Sequence, residues 1–398
     1  MRKRILFLGG AVSQIPPIKY AKEQGHYVIT CDYLPENPGH KYADEYYNIS
    51  TTDKEAVLVL ARELNINGIV AYASDPAAPT QAYVGNELKL PSNPYESVLT
   101  LTRKDLFRDL LKKNNFHVPV SNSFYSFDKA KKWLNKLKMP VIVKPVDSSG
   151  SKGIRKTETI DEFQSAFEYA LQFSREKKVI VEEFLLRDGY QIGGDGFVVD
   201  GKLVFWGFAN AHFDSSCNPL VPIGGSLPSV FSKSVLDAVC RETQRLLTLL
   251  NMKIGALNFE FQYDKNGNFM ILEIAARNGG NRFPELITHA TNVDMVKYTV
   301  DAALGFDCSN IKMKDVKGFY SYYVVHALKD GIMKNIWYSD EIKENIIEES
   351  IYINIGEPVK KFNGSDNTVG ILIMKFSSQN EMLEKMDTMN KYIQVEVI

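Results

Sequence analysis

Residues 257–280 read Leu-Asn-Phe-Glu-Phe-Gln-Tyr-Asp-Lys-Asn-Gly-Asn-Phe-Met-Ile-Leu-Glu-Ile-Ala-Ala-Arg-Asn-Gly-Gly. Two apolar runs about Asn266-Gly267 predict a β-hairpin closed by a two-residue type I′ loop, which pairs Lys265 with Asn268 and Tyr263 with Met270. The register then sets Phe261 opposite Leu272 and Phe259 opposite Ile274 on one apolar face, with Glu260 directly opposite Glu273 on the other. Opposed like charges destabilise a hairpin, so one carboxyl is protonated, a cation sits between the two, or a neighbouring lysine bridges them on a solvated face. An all-oxygen pair near a phosphate-binding loop suits Mg²⁺ or Mn²⁺. Further along the strand, small Ala275 leaves room beside Arg277, whose planar fork fits a phosphate or carboxylate oxygen.

A loop of that kind lies upstream. Residues 141–153 read Val-Ile-Val-Lys-Pro-Val-Asp-Ser-Ser-Gly-Ser-Lys-Gly, a short buried strand that delivers Lys144 to the mouth of a small-residue loop, Ser148, Ser149, Gly150, Ser151, Lys152 and Gly153. Its backbone N–H groups can turn inward around a polyphosphate while Lys144 and Lys152 supply charge. It is not a P-loop, in which the lysine follows the glycines and precedes Ser or Thr. Further upstream, Thr102-Arg-Lys-Asp105 reads as an acidic capping box, with Lys104 in the first helical turn, either solvated or facing an anion. Downstream, Thr159-Ile-Asp-Glu162 opens a helix whose buried face is Phe163, Ala166, Phe167 and Ala170. The apolar strand Val179-Ile-Val-Glu182-Glu183-Phe184-Leu185 follows, then a glycine-rich turn over residues 189–196 and a hairpin across Asp200-Gly201.

Toward the N-terminus, strand, helix and strand alternate: residues 4–8, a helix with Pro16-Pro17 in its first turn, residues 27–31, a helix over 53–64 and a strand at 69–73. This predicts a small α/β unit ending near Leu90-Pro91. The turn Gly9-Gly10-Ala11-Val12-Ser13-Gln14 lacks the G-x-G-x-x-G spacing of a dinucleotide site. The polar segment 209–226 is expected to line an acceptor pocket, with His212 and Arg282 as candidates. Beyond Asn310 come a tyrosine-rich strand at 320–325 and a helix opened by Ser378-x-x-Glu381, whose Met382, Met386 and Met389 read as core.

At 398 residues the chain exceeds one simple core. Forty-seven basic and 48 acidic side chains nearly balance without a dense basic block, which argues against a nucleic-acid partner. No apolar run is long enough to span a bilayer, and the Arg/Lys-rich start lacks the length and cleavage site of a signal peptide. Cys31, Cys217, Cys240 and Cys308 lie far apart in sequence, as expected of reduced thiols in a cytoplasm.

Taken in order, Lys104, the Lys144 strand with its Ser/Gly loop, residues 182–185, Asn258-Phe-Glu260-Phe and Glu273-Ile-Ala-Ala-Arg277-Asn-Gly-Gly resemble the ATP-grasp superfamily, nearest the branch of carbamoyl phosphate synthetase, biotin carboxylase and the L-amino acid ligases. The resemblance extends over nearly the whole chain. It implies a mixed α/β and α+β fold: an N-terminal Rossmann-like unit (1–92), a central ATP-grasp fold of two subdomains (93–309) and a small C-terminal α+β cap (310–398) that covers the site or forms a homodimer contact. It further implies that Lys104 and Lys144 contact ATP phosphates under the closing 148–153 loop. Glu182, Glu183, Phe184 and Leu185 would hold adenine, largely through backbone groups, with Glu183 or a neighbour reaching the ribose. Glu260 and Glu273 would bind two magnesium ions, and Arg277 would steady the transferred phosphoryl group. The sequence departs from the pattern at Ala275, where several relatives carry an asparagine ligand, so that Asn278 or water completes the metal shell. It departs again at Gln191, which falls where many carry an acidic nucleotide contact. The implied reaction is ATP-dependent joining of a carboxylic acid to an amine through an acyl phosphate. A phosphotransferase or carboxylase on the same nucleotide site, or a non-catalytic ATP binder, is the alternative.

Overall fold

The computed structural model describes residues 2–187, 189–264 and 267–398. Arg4–Leu8, Tyr27–Cys31, Glu45–Tyr47 and Gly68–Val70 form a parallel sheet with Arg4–Leu8 between Tyr27–Cys31 and Gly68–Val70. Side chains alternate across it: Leu6, Leu8 and Ile29 pack on Val57, Leu60 and Ala61 of the Lys54–Glu63 helix. Ile5, Phe7 and Val28 pack on Ile18 and Ala21 of Ile15–Glu23. That second face is completed by Val296 and Val300 of the Met295–Ala303 helix, far along the chain. The fourth strand stops at Val70 instead of reaching Ala73, where the backbone turns left-handed (φ 51) and carries Asp75 toward the rest of the molecule.

A second sheet is antiparallel, in the order Ser121–Phe124, Val179–Glu183, Val141–Pro145, Arg155–Thr157. The Ile160–Phe173 helix covers it with Phe163, Ala166, Phe167 and Ala170, the expected face, and Thr159 Oγ accepts the Glu162 N–H at 3.4 Å. The capping box at Thr102 does not form. A helix over Tyr95–Thr102 runs directly into Lys104–Lys113, so the Thr102 hydroxyl donates back to Val98 O and Arg103, without a capping side-chain bond, occupies the N-cap.

The main sheet has eight antiparallel strands: Phe269–Ala275, Gly255–Tyr263, Gln191–Val199, Lys202–Phe213, Pro222–Leu227, Phe319–His326, Thr368–Phe376 and Ile346–Ile351. The C-terminal strands therefore continue the central sheet, and Met382, Met386 and Met389 are buried in its core as expected. Asp200 and Gly201 (φ 49 and 77) make the anticipated tight turn.

Two further sequence expectations change in and beside this sheet. The glycine-rich turn at 189–196 is mostly strand, because its glycines permit close backbone approach. A Cβ on Gly194 would lie 2.3 Å from Gly207 O and 3.1 Å from Phe208 Cα. Gly194→Ala is therefore expected to cost about 3 kcal/mol in urea unfolding, since backbone on the neighbouring strand must move. An unchanged transition midpoint would show that the strands are not so tightly apposed.

The second change concerns the 257–275 hairpin. Asp264 N–H donates to Asn268 O at 3.0 Å, so Tyr263 pairs with Phe269 and Phe261 with Ile271, one position off the expected register. The register shifts between Glu260 and Phe261, leaving Leu272 as the extra residue and restoring Glu260 opposite Glu273 and Phe259 opposite Ile274. Asn266, the first residue of the expected Asn266-Gly267 turn, and Lys265, the expected partner of Asn268, lie outside the described residues.

Candidate active site

The small sheet and the main sheet face each other across a cleft of about 1070 Å³. Glu260 and Glu273 stand side by side on its wall. Burial, then the charge of Glu273, pushes the Glu260 carboxyl above its ordinary range, against the pull of Arg277, Lys104 and Lys144. Lys104 Nζ lies 3.8 Å from Glu273 Oε2 and donates to Ser148 O at 2.8 Å. Its backbone N–H donates to Val146 O at 2.9 Å, so the start of the Lys104–Lys113 helix is tied to both ends of the strand-loop junction.

Lys144 reaches across to Glu182, Nζ to Oε2 at 2.6 Å, and Arg108 Nε holds Oε1 of the same carboxylate at 2.6 Å. Burial would raise the Glu182 carboxyl, but the Arg108 and Lys144 charges override it and hold it down at about 2. Arg108 Nη1 also donates to Leu272 O at 2.9 Å, so one buried guanidinium clamps the small sheet to the strand that carries Glu273. Sequence reading missed Arg108. Its spacing of four residues from Lys104, which puts two cations on one helix face, was the available signal.

Arg277 forms a bidentate pair with Asp75, Nε to Oδ1 at 2.7 Å and Nη2 to Oδ2 at 2.8 Å, and Nη1 donates to Asn278 O at 2.9 Å. Burial disfavours the Arg277 charge, yet Asp75 raises its proton affinity further. Asp75 sits in a loop of the N-terminal unit about two hundred positions away, and no local pattern marks it. Asp195, wholly buried, accepts from Gly279 N and Asn258 Nδ2 at 2.9 Å. Burial pushes its carboxyl up to about 7 despite those donors. Any Cβ on Gly279 would meet Asp195 Oδ1 at 2.7 Å, which accounts for the glycine. Asn278 is fully buried, and its Oδ1 accepts the Thr299 hydroxyl at 2.9 Å.

The 148–153 loop rests against the C-terminal segment. Gly150 lies so close to Ser365 that a Cβ would stand 2.4 Å from its Oγ, and exposed Lys152 is 3.6 Å from Asp366. Ser148, Ser149, Ser151 and Lys152 also line the cleft, while Gly153 packs beneath, against Pro145 and Phe173. At the far end, Glu183 is tied to Val120, accepting its N–H at 3.0 Å on the side chain and donating its own N–H to Val120 O. Phe184 lies under Lys156 at 4.7 Å, Leu185 O accepts from Gln262, and Gln191 is buried on the cleft wall. His212 and Arg282 are engaged elsewhere. His212 is buried between Asp387 and Ser226, and Arg282 binds Glu348, Ser350 and Glu285. The 209–226 segment does line the cleft, through Ala211, Phe213, Cys217, Leu220 and Gly224 among others, but neither His212 nor Arg282 is part of that lining.

Residues 137–285 match the family model for the ATP-grasp domain. That stretch is similar to the ATP-grasp domain. It is 26% identical over 268 residues to a carbamoyl phosphate synthase large chain of Thermoanaerobacter sp. (strain X514), a match covering 66% of this chain and 24% of that one. The chain spans about a quarter of the length of the first such relatives. Among solved structures, the L-amino acid ligase of Bacillus licheniformis superposes with a TM-score of 0.81 at 18% identity, over 100% of this chain and 99% of that one. Phosphoribosylglycinamide synthetase of Anaerococcus prevotii gives 0.76 at 22% identity over the whole of both chains. The expected mixed α/β fold with an ATP-grasp core is thus the fold observed, and among the described residues no helix is long and apolar enough to cross a membrane. In this cleft Glu260 and Glu273 lie beside Lys104, Lys144 and Arg277, and the three cations are held by Ser148 and Glu273, by Glu182 and by Asp75 respectively. Such an arrangement can hold a polyphosphate and a hard cation together.

Proposed function

We propose that the chain is an ATP-dependent carboxylate-amine ligase that makes an acyl phosphate from a small carboxylic acid and joins it to an amine, releasing ADP and phosphate. The observation that carries the reading is the opposed pair Glu260 and Glu273 with Lys104, Lys144 and Arg277 around it. Phosphoryl transfer is governed by charge held in line, and such a set answers that demand without a nucleophilic side chain.

Lys144 and Lys104 bind the ATP phosphates in this scheme, and Ser148 to Gly153 shield them from water. Backbone groups of residues 182–185 take adenine, Glu183 or Gln191 faces the ribose, and Arg277, fixed by Asp75, steadies the phosphoryl group in transit. Glu260 and Glu273 offer only oxygen donors on one sheet face, which fits Mg²⁺ or Mn²⁺. When bound, the metal neutralises charge on the phosphate oxygens. Asn278 Oδ1 already accepts the Thr299 hydroxyl, which favours water over it in completing that shell. We assign the enzyme to the cytoplasm, a reading supported by four free cysteines.

The reaction class is tested with hydroxylamine, which replaces the amine and turns an enzyme-held acyl phosphate into a hydroxamate. Screening amino and other carboxylic acids with Mg·ATP is expected to yield at least one acid-dependent hydroxamate. Arg277→Ala should lower that yield by about 10²-fold or more while changing nucleotide affinity far less. Acceptor-dependent ADP with a stable phosphorylated product and no hydroxamate would replace the ligase with a phosphotransferase; strict dependence on bicarbonate would indicate a carboxylase.

A further inference from the structure

A second cluster of ligating side chains lies away from the carboxylate pair. The neighbouring strands Lys202–Phe213, Pro222–Leu227 and Phe319–His326 bring Asp214, just past the end of the first, beside His326 at the end of the last. Cys217 folds back from the intervening loop, its N–H donating to Asp214 O at 3.4 Å. His326 Nε2 then stands 3.4 Å from Asp214 Oδ2 and 3.9 Å from Cys217 Sγ. Asp214 and His326 are buried, and half-buried Cys217 forms part of the cleft wall.

Three features of this cluster suit a metal better than a hydrogen-bonded ion pair. His326 Nδ1 is 2.7 Å from Val324 O, which can only accept, so Nδ1 carries a proton and, in the neutral ring, the Nε2 lone pair faces Asp214 and Cys217. Asp214 Oδ1 is taken by the Ser216 N–H and hydroxyl, leaving Oδ2 as the free ligand atom. The separations are also wide for direct bonds. The 3.4 Å between His326 Nε2 and Asp214 Oδ2 exceeds the about 2.7–2.9 Å of a charge-assisted N–H···O⁻ contact and matches the roughly 3.3–3.6 Å between ligand atoms of tetrahedral zinc, while the 3.9 Å to Cys217 Sγ needs only a small closure to reach that spacing.

We propose that Asp214 Oδ2, Cys217 Sγ and His326 Nε2 bind a zinc ion, with the fourth position left to water or to a donor from the cleft. A thiolate and a carboxylate balance the dication, and the mixed N, S and O set selects zinc over the magnesium suited to Glu260 and Glu273.

The test uses tag-free full-length protein. Metal analysis is expected to give about one zinc per chain, and Co²⁺ titration of the stripped protein should produce thiolate-to-cobalt charge-transfer absorption. Cys217→Ser, nearly isosteric, should keep the melting profile of the stripped protein but lose that absorption and weaken zinc binding at least ~100-fold. Glu260→Gln should retain both, which separates this site from the nucleotide site. The proposal is overturned if the protein binds neither Zn²⁺ nor Co²⁺ stoichiometrically, or if Cys217→Ser binds them as the parent does; Asp214, Cys217 and His326 would then be a hydrogen-bonded cluster only.

Discussion

Glu273→Gln is expected to lower ATP turnover by about 10³-fold or more while leaving the protein at least as stable as the parent. Glutamine keeps the shape and removes the charge, so the hairpin loses a repulsion between directly opposed carboxylates and the proposed metal loses a ligand. Activity and stability should therefore move in opposite directions, which a merely structural glutamate would not produce. Glu260→Gln should behave alike, and Glu273→Gln should remove the part of the rise in the Glu260 carboxyl that comes from Glu273, leaving the larger part that comes from burial. ADP release and thermal melts on the same preparations are the measurements. Parental turnover in either variant would remove the pair from the catalytic machinery.

Glu182→Ala is expected to cost about 3–5 kcal/mol, because it strands Arg108, which is only 5% exposed, beside Lys144 with no counter-charge. Adding Arg108→Met should recover part of the loss, since the unpaired charge goes with it. The same carboxylate sets a pH dependence. Its folded-state value near 2 lies below the ordinary 4.5, so its stabilising contribution is complete above about pH 4.5 and is lost as the pH falls toward 2. That contribution is about 3 kcal/mol, and the gap in unfolding free energy between parent and Glu182→Gln should narrow across this window. A gap independent of pH would mean that packing, not charge, is what Glu182 provides.

The elements whose pattern is local were legible in the sequence. The Ile160–Phe173 helix showed its buried face at 3.6-residue spacing, and Asp200-Gly201 announced its turn. The opposition of Glu260 and Glu273 was also read correctly, although two departures cancelled to give it: an early closure at Asp264 and a bulge at Leu272. A bulge leaves no trace in composition, so only the pairing reveals it. The glycines of residues 191–196 were misread because a glycine needed for close approach of neighbouring strands looks like one needed for a turn. Partners distant in sequence stayed hidden for a different reason. Asp75 meets Arg277, and Arg108 meets Glu182, only after three sheets have assembled.

The continuity of the eight-stranded sheet bears on how the protein is made. Pro222–Leu227 finds its outer partner in Phe319–His326, and that strand in turn needs Thr368–Phe376. On the ribosome the inner strands emerge first and wait with an unsatisfied edge, open to pairing with another nascent chain. Residues 311–398 thus cover that inner edge, and a chain cut short at residue 310 would be prone to aggregate even with every proposed nucleotide ligand in place.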